Sequence, residues 1–177
     1  MSVKDAPHNW ISIKGEYPGP VVAIAGCIHG DEKIGLDILN WLEEMIEPEN
    51  LKGELRLVLG NPAAYAKNVR FIDEDLNRLF KQQSLEHINA LPECERNFEE
   101  KRGLELIKIF KDVDYLVDIH ATGQPTKFPF IFTANTEKHL ELAGMFSVPL
   151  IVVEGVHLSS MSEGPTDVYI DRAGGIG

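Results

Sequence analysis

Histidine and carboxylate side chains occur together at two points along the chain. His29 and Glu32 lie three positions apart, whereas Asp118 and His120 lie two positions apart. Residues three apart share one face of a helical turn, and residues two apart point the same way in a strand. Two histidines, one glutamate and a water form an established catalytic zinc set, so His29, Glu32 and His120 are candidate ligands for one zinc ion.

Each half of this pattern also has an interpretation without a metal. The first half is compatible with the N-terminal turn of a helix, where the helix dipole favours acidic residues. His120 would then be a histidine at a strand end with no ligand role. If His120 does bind a metal, its other ring nitrogen needs a partner. Asp118 and a nearby backbone carbonyl are equally good candidates for that partner.

A third motif runs from Arg70 to Arg78 and combines two arginines and an asparagine with three acids. One interpretation is a solvated loop whose ion pairs contribute little to stability. In the functional interpretation, one arginine polarises a scissile carbonyl and stabilises the oxyanion. The other arginine binds a substrate carboxylate with its planar guanidinium. Asp73 and Asp75 would then hold the arginines in place.

Apolar runs of strand length alternate with amphipathic stretches, which predicts an α/β domain with a largely parallel sheet. The predicted strands are 21–28, 54–59, 115–119, 130–133 and 150–153. The predicted helices are 33–47, 96–111 and 136–146. Residues from Glu154 to Gly175 have a loop-like pattern. His29 and His120 directly follow two of the predicted strands, and ligands bind at the carboxyl ends of strands in open α/β sheets.

Length and composition narrow the class of protein. The 177 residues fit one domain with a substantial core. A net charge of -11 argues against nucleic-acid binding, because phosphate repels an acidic surface. No apolar run is long enough to span a membrane, and residues 1–9 lack the apolar region of a secretory signal. Cys27 and Cys94 are expected to be free thiols, and we expect a cytoplasmic location.

Four motifs together resemble the succinylglutamate desuccinylase/aspartoacylase family, a branch of the zinc carboxypeptidase superfamily. Their order and spacing both agree with that family. The motifs are Gly26-Cys-Ile-His-Gly-Asp-Glu32, Asn61-Pro-Ala-Ala64, Arg70-Phe-Ile-Asp-Glu-Asp-Leu-Asn-Arg78 and Asp118-Ile-His120. Each motif alone occurs by chance, but the combination is specific.

The resemblance implies a three-layer α/β/α sandwich around a mixed, largely parallel sheet. It also implies a zinc-dependent hydrolase that cleaves the amide bond of a small anionic N-acyl amino acid. Zinc would be bound by His29, Glu32 and His120. Arg70 would polarise the carbonyl, and the carboxylate of the substrate would be bound by Asn77 and Arg78.

The chain departs from the family pattern near residue 177. The family's catalytic glutamate follows a glycine-rich lead-in that resembles residues 174–177, where this sequence stops. Glu154 and Glu163 remain as carboxylates, but neither occupies the family position, and no general base is assigned. We therefore expect residues 1–177 to form a single catalytic domain without its last strands or a β-rich C-terminal part. As it stands, this chain should be a poor hydrolase, and an unpaired sheet edge would favour a homo-oligomer.

Three other functions are compatible with the sequence. A carboxypeptidase-like peptidase would use the same zinc set on the C-terminal carboxylate of a peptide. A metal-binding module without turnover would explain the missing glutamate. A plain α/β domain would use its histidines only for structure.

Overall fold

The computed structural model describes residues 2–153 and 164–177. Glu154 and Glu163, which remained as carboxylates in the sequence, lie outside the described residues. The strands are β1 Trp10–Lys14, β2 Tyr17–Gly26, β3 Lys52–Leu59, β4 Tyr115–Ile119, β5 Ile131–Thr133 and β6 Ile151–Val153. The helices are α1 Ile34–Met45, α2 Pro62–Lys67, α3 Gln82–Ala90, α4 Phe98–Ile109, α5 Glu137–Gly144 and α6 Thr166–Ala173.

A four-stranded mixed sheet with strand order β1-β3-β2-β4 forms the centre of the fold. β2 is parallel to both β3 and β4, whereas β1 is antiparallel to β3. Gly26 at the end of β2 is level with Leu59 and with Ile119, so three strands end at the same edge. On the outer side of β4, Ile176 forms a parallel bridge to Tyr115. The sheet confirms the mixed α/β architecture expected from the sequence.

Two apolar cores lie against the sheet, because alternate residues of β2 point to opposite faces. Ala23 and Ala25 belong to a core with residues of α3, α4 and α6. Val22 and Ile24 pack on the other core, to which α1 contributes Leu36 and Leu39. Helices therefore cover both faces, which gives the three layers of an α/β/α sandwich.

β5 and β6 form a separate two-stranded parallel sheet. The sequence predicted a buried strand at residues 150–153. The strand is present, but the prediction that it is buried was wrong. Val153 is 41% exposed and Phe132 of the neighbouring strand is 49% exposed. The two strands pair with each other and do not join the central sheet, so the described part of the chain leaves their apolar side chains in solvent.

Several element boundaries also differ from the prediction. α1 begins at Ile34, after the motif that contains His29 and Glu32, and α6 lies in a stretch that was predicted to be a loop. α6 has only eight residues, about two helical turns, so its apolar positions hardly repeat along the sequence. None of the described helices is long and apolar enough to cross a membrane.

Candidate metal centre

A tight turn after β2 positions His29 and Glu32. Cys27 has a φ of 58°, a left-handed conformation that non-glycine residues adopt only at a cost. The main-chain N–H of Glu32 donates to the carbonyl of His29 at 3.2 Å. The Cys27 thiol donates to the Glu32 carbonyl at 3.3 Å. The two candidate ligands therefore lie in a hydrogen-bonded turn before α1, and not on the first turn of the helix as the spacing predicted.

Gly30 is required in this turn for space. A Cβ atom at Gly30 would lie 2.1 Å from the carbonyl carbon of Ala64 in α2. The N–H of Gly30 donates to the carbonyl of Arg70 at 3.1 Å. The turn is thus enclosed between α2 and the chain at Arg70. Gly30 therefore contributes space, whereas the left-handed φ at the start of this turn is adopted by Cys27.

The side chains of His29, Glu32 and His120 converge, and we refer to them as the metal-ligand cluster. Nδ1 of His29 lies 2.9 Å from Oε1 of Glu32, and Nδ1 of His120 lies 2.9 Å from Oε2. One ligand atom from each residue lies within 4.8 Å of the other two. Tetrahedral zinc with bonds near 2.0–2.1 Å needs donor atoms about 3.3 Å apart, so small side-chain movements would suit the cluster to zinc.

Both imidazole rings have a carboxylate at their other nitrogen. Nε2 of His29 lies 3.1 Å from Oδ1 of Asp75, and Nε2 of His120 lies 3.2 Å from Oδ2 of Asp118. Such partners fix the ring orientation and the tautomer of a metal-bound histidine. The structure thus places the carboxylate of Asp118, one of the two partners considered, beside His120. It also gives Asp75 a contact with His29 that the sequence had not indicated.

The charged and hydrogen-bonding groups around the metal-ligand cluster shift the pKa values of Glu32 and His120. Burial favours a higher pKa for Glu32, but hydrogen bonds from His120, His29 and the N–H of Ala121 hold the pKa far below its ordinary value. Burial lowers the pKa of His120, but the carboxylates of Asp118 and Glu32 outweigh it and raise the pKa to about 10. A site of this kind, in which ionised carboxylates surround imidazole nitrogens, is suited to a divalent cation.

The cluster is closed on one side and open on the other. His29 is 4% exposed and Glu32 is 8% exposed. The side chain of His120 is 33% exposed, and that of Arg70 is 47% exposed. A catalytic zinc site keeps one coordination position for water or substrate, whereas a structural site is closed by protein ligands. Among the described residues, three protein donors with an exposed side are compatible with a site of the catalytic type.

Arg70 begins the segment 70–78, which we refer to as the arginine segment. Nη1 of Arg70 lies 3.6 Å from Oε1 of Glu32, and Nη2 lies 3.5 Å from Oδ2 of Asp75. Its guanidinium therefore lies beside the metal-ligand cluster, within ion-pair distance of Asp75. Asp73 does not share this role in the described contacts, because its Oδ2 accepts from the main-chain N–H of Phe98 at the start of α4.

Asn77 and Arg78 lie at the end of the same segment. Asn77 is buried, and its Oδ1 accepts from the main-chain N–H of Thr166 at 3.2 Å. The hydroxyl of Thr166 in turn donates to Oδ2 of Asp118. Nη1 of the exposed Arg78 donates to the Asn77 carbonyl at 3.3 Å. A chain of contacts thus connects the predicted substrate-binding residues to His120.

Two buried polar residues near the site had no role in the sequence interpretation. Thr166 and Glu99 are both fully buried. Helical spacing gives a signal for Glu99, because Glu99 and Arg102 share the face of α4 that carries Leu106 and Ile109. Charged residues on an apolar helix face need buried partners. Thr166 gave no comparable signal, since its helix was not predicted.

Comparison with known proteins identifies the family. The sequence profile described as "Succinylglutamate desuccinylase/Aspartoacylase catalytic domain" matches residues 18–169. The chain belongs to this family. The matched range contains the metal-ligand cluster and the whole arginine segment.

Curated relatives are similar over part of their length. An aspartoacylase of Xenopus tropicalis is 36% identical over 108 residues, which are 57% of this chain and 34% of that protein. An N-acyl-aromatic-L-amino acid amidohydrolase (carboxylate-forming) of the same organism is 25% identical over 167 residues, which are 85% of this chain and 53% of that protein. The chain therefore spans about a third to a half of the length of these relatives.

Solved structures agree with the fold. The succinylglutamate desuccinylase/aspartoacylase of Rhodobacter sphaeroides has a TM-score of 0.73 at 21% identity, over 94% of this chain and 48% of that one. The ectoine utilization protein EutE (DoeB) of Ruegeria pomeroyi, solved with bound product, has a TM-score of 0.73 at 22% identity, over 94% of this chain and 50% of that one. At this identity the likeness concerns the fold alone.

Proposed function

We propose that the chain contributes the metal centre of a zinc-dependent amidohydrolase that removes the acyl group from an N-acyl amino acid. The convergence of His29, Glu32 and His120 carries the proposal. Their donor atoms meet at one point with an open side, and a carboxylate holds each imidazole from behind. Family membership supports the reaction class, because relatives are named for the hydrolysis of N-acyl amino acids.

His29, Glu32 and His120 would hold the zinc ion. Bound there, zinc would supply a water of lowered pKa and an electrophile for the amide carbonyl. Asp75 and Asp118 keep Nδ1 of each imidazole directed at the metal position. The low pKa of Glu32 keeps its carboxylate ionised across the physiological range, as a ligand must be.

We propose that Arg70 stabilises the oxyanion that forms in the transition state. Its guanidinium lies next to Glu32 and is half exposed, so it faces the side from which a substrate approaches. A fixed positive charge at that position stabilises negative charge that grows on the carbonyl oxygen in the transition state. Asp75 keeps the guanidinium near the cluster when no substrate is bound.

We propose that Asn77 and Arg78 bind the carboxylate of the substrate. The Oδ1 atom of Asn77 is used by Thr166, which directs the Nδ2 donor of the same amide away from that contact. Arg78 is exposed and can form a bidentate pair with a carboxylate. An anionic substrate needs such a local anchor because the chain as a whole has a net charge of -11. A cytoplasmic location remains part of this proposal.

The test is hydrolysis by the full-length zinc-loaded protein of N-acyl-aspartate, N-succinylglutamate and N-acyl aromatic amino acids. A peptide with a free C-terminal carboxylate serves as the comparison substrate. We expect turnover of at least one N-acyl amino acid, loss of activity on chelation and recovery with zinc. Preferential cleavage of the peptide would favour the peptidase. Zinc binding without any hydrolysis would refute the proposed enzymatic activity and favour a metal-binding module without turnover.

A further inference from the structure

Glu99 is an ionisable residue that has no contact with the metal-ligand cluster and yet is completely buried on the first turn of α4. The structure describes no salt bridge to it in residues 2–153 and 164–177. Its Oε1 accepts from Nδ2 of Asn61 at 2.9 Å and from the N–H of Ile72 at 2.7 Å. Its Oε2 accepts from the N–H of Asp73 at 2.9 Å and from that of Glu74 at 3.4 Å.

Three successive main-chain N–H groups therefore converge on one buried carboxylate. Consecutive N–H groups form a concave site for an anion, and hydrogen bonds to an ionised acceptor are about twice as strong as neutral ones. A buried carboxylate without such donors would be strongly unfavourable. The arrangement of the main chain at residues 72–74 is therefore tied to the position of the Glu99 side chain.

The segment that Glu99 holds connects two residues of the site. Arg70 lies just before it, with its carbonyl bonded to Gly30, and Asp75 lies just after it. Asp75 reaches both His29 and the guanidinium of Arg70. Any shift of residues 72–74 would therefore move the partner of a predicted zinc ligand and the predicted oxyanion-binding group together.

The contact between α4 and the arginine segment is reciprocal. The Asp73 carboxylate accepts from the N–H of Phe98 at 2.9 Å, and the Asn97 side chain donates to the Glu74 carboxylate. An acidic side chain at a helix N-terminus is favoured by the helix dipole. Contacts in both directions fix the segment on α4 more firmly than the Glu99 carboxylate would alone.

We propose that Glu99 is a positioning residue: its carboxylate fixes residues 72–74 and thereby places Asp75 and Arg70 against the metal-ligand cluster, without contact to metal or substrate. For the role of Arg70, this inference rests on the proposed function. For the role of Asp75, it concerns zinc affinity alone and is independent of any activity.

The test is Glu99→Gln in the full-length protein. Glutamine keeps the size of the side chain but replaces one carboxylate oxygen by an NH2 group. Each oxygen of Glu99 accepts two hydrogen bonds, and an NH2 group at that position cannot accept them. We expect the dissociation constant of zinc, measured by competition with a chelating dye, to rise about 10-fold, as for other groups that orient a metal ligand. We also expect kcat to fall about 10-fold, with KM changed less, because Arg70 would be misplaced in the transition state.

The matched control is Glu100→Gln, which removes the same charge one position along α4. Glu100 accepts from the N–H of Asn97 in a capping box, and glutamine fills that position equally well. Both constants should therefore stay within twofold of the parent. All proteins are measured at a temperature at which denaturant titration shows that they are folded, so that a loss of stability is not counted as a loss of positioning.

A double-mutant cycle with Arg70→Lys tests whether Glu99 affects kcat through Arg70. If Glu99 acts on kcat through Arg70, then Glu99→Gln should lower kcat much less in the Arg70→Lys background than in the parent. Equal losses in both backgrounds would overturn that part of the proposal. Unchanged zinc affinity and kcat in a folded Glu99→Gln protein would overturn all of it.

If Glu99→Gln does not fold, Glu99→Asp takes its place. Aspartate keeps the charge, but its shorter side chain cannot reach all four donors at once. A rise in the zinc dissociation constant of about threefold in the folded Glu99→Asp protein would support the proposal, and an unchanged constant would overturn it. A parent protein that binds zinc but hydrolyses no N-acyl amino acid would refute the proposed function and leave the zinc measurement as the test of Glu99.

Discussion

The metal-ligand cluster and the arginine segment are held in different ways. The two imidazoles of the cluster each have a carboxylate at both ring nitrogens, within 2.9–3.2 Å. The guanidinium of Arg70 instead lies 3.5–3.6 Å from its two acids and is half exposed. The side chains of the cluster are therefore fixed, whereas in the arginine segment the main chain is fixed and the arginine side chains can adjust.

The difference corresponds to what each group would bind. A zinc ion requires three donors at defined distances, so the donors have to be in place beforehand. A substrate arrives as a flexible anion, and exposed arginines can adjust to it before they form directed pairs. Two residues couple the regions, since Asp75 contacts both His29 and Arg70, and Thr166 contacts both Asn77 and Asp118.

The largest expected effect is the loss of zinc from variants of the cluster. His29→Ala or His120→Ala should raise the zinc dissociation constant at least about 100-fold, more than removal of an orienting partner does, because a direct donor is lost. His87→Ala, at an exposed histidine of α3, is the control and should bind zinc as the parent does. Zinc competition titration and elemental analysis give the result. Parent-like zinc binding by both cluster variants would show that the cluster is not the site.

The two arginines should differ in the kinetic constant that they control. Arg70→Lys should lower kcat about 100-fold with little change in KM, because its partner charge develops only in the transition state. Arg78→Lys should mainly raise KM, because an ammonium group cannot form the planar bidentate pair. Kinetics of both variants on one N-acyl amino acid in the full-length enzyme measure this. Identical effects on both constants would contradict the separate roles.

A smaller effect is expected at the residue that couples the two regions. Thr166→Val keeps the main-chain bond to Asn77 but removes the hydroxyl that donates to Asp118. With Asp118 less well oriented, zinc affinity should fall about 10-fold. Thr133→Val, at another buried threonine, serves as the control for loss of a hydroxyl. Parent affinity in Thr166→Val would mean that Asp118 is positioned without this contact.

The smallest perturbation is chemical labelling of the two cysteines. Burial raises the pKa of the Cys27 thiol to about 11, so at pH 8 the thiol is protonated, and only the thiolate reacts. Cys94 is exposed. Iodoacetamide at pH 8 should therefore alkylate Cys94 in the folded protein and leave Cys27 unmodified, as read by peptide mass spectrometry. Equal labelling of both residues would show that the turn carrying His29 opens readily.

The sequence predicted those parts of the molecule that follow from a local pattern of apolar and polar residues. Alternation of apolar and amphipathic stretches placed the strand at residues 115–119 and put His120 directly after it. β2 ends at Gly26, two residues earlier than predicted, so His29 lies in the turn that follows that strand. The spacing of His29 and Glu32 was informative about proximity but not about the local structure, because a left-handed Cys27 forms the turn before the helix. Motif comparison, and not periodicity, indicated the arginine segment.

Other parts depend on contacts between distant residues, which periodicity does not report. The buried carboxylate of Glu99 is explained only by main-chain and side-chain donors more than 20 positions away. Thr166 receives its role from residues at 77 and 118. The strand at 151–153 looked buried because it is apolar, and its exposure depends on which strands it pairs with. Such long-range pairings determine the remainder of the site.

The central claim is that His29, Glu32 and His120 bind one zinc ion. The most direct measurement is an anomalous difference map at the zinc absorption edge from crystals of the full-length protein grown with zinc. We predict one strong peak about 2.0–2.2 Å from Nδ1 of each histidine and from a carboxylate oxygen of Glu32. A zinc-replete crystal without a peak there, or with its peak at other residues, would contradict the account.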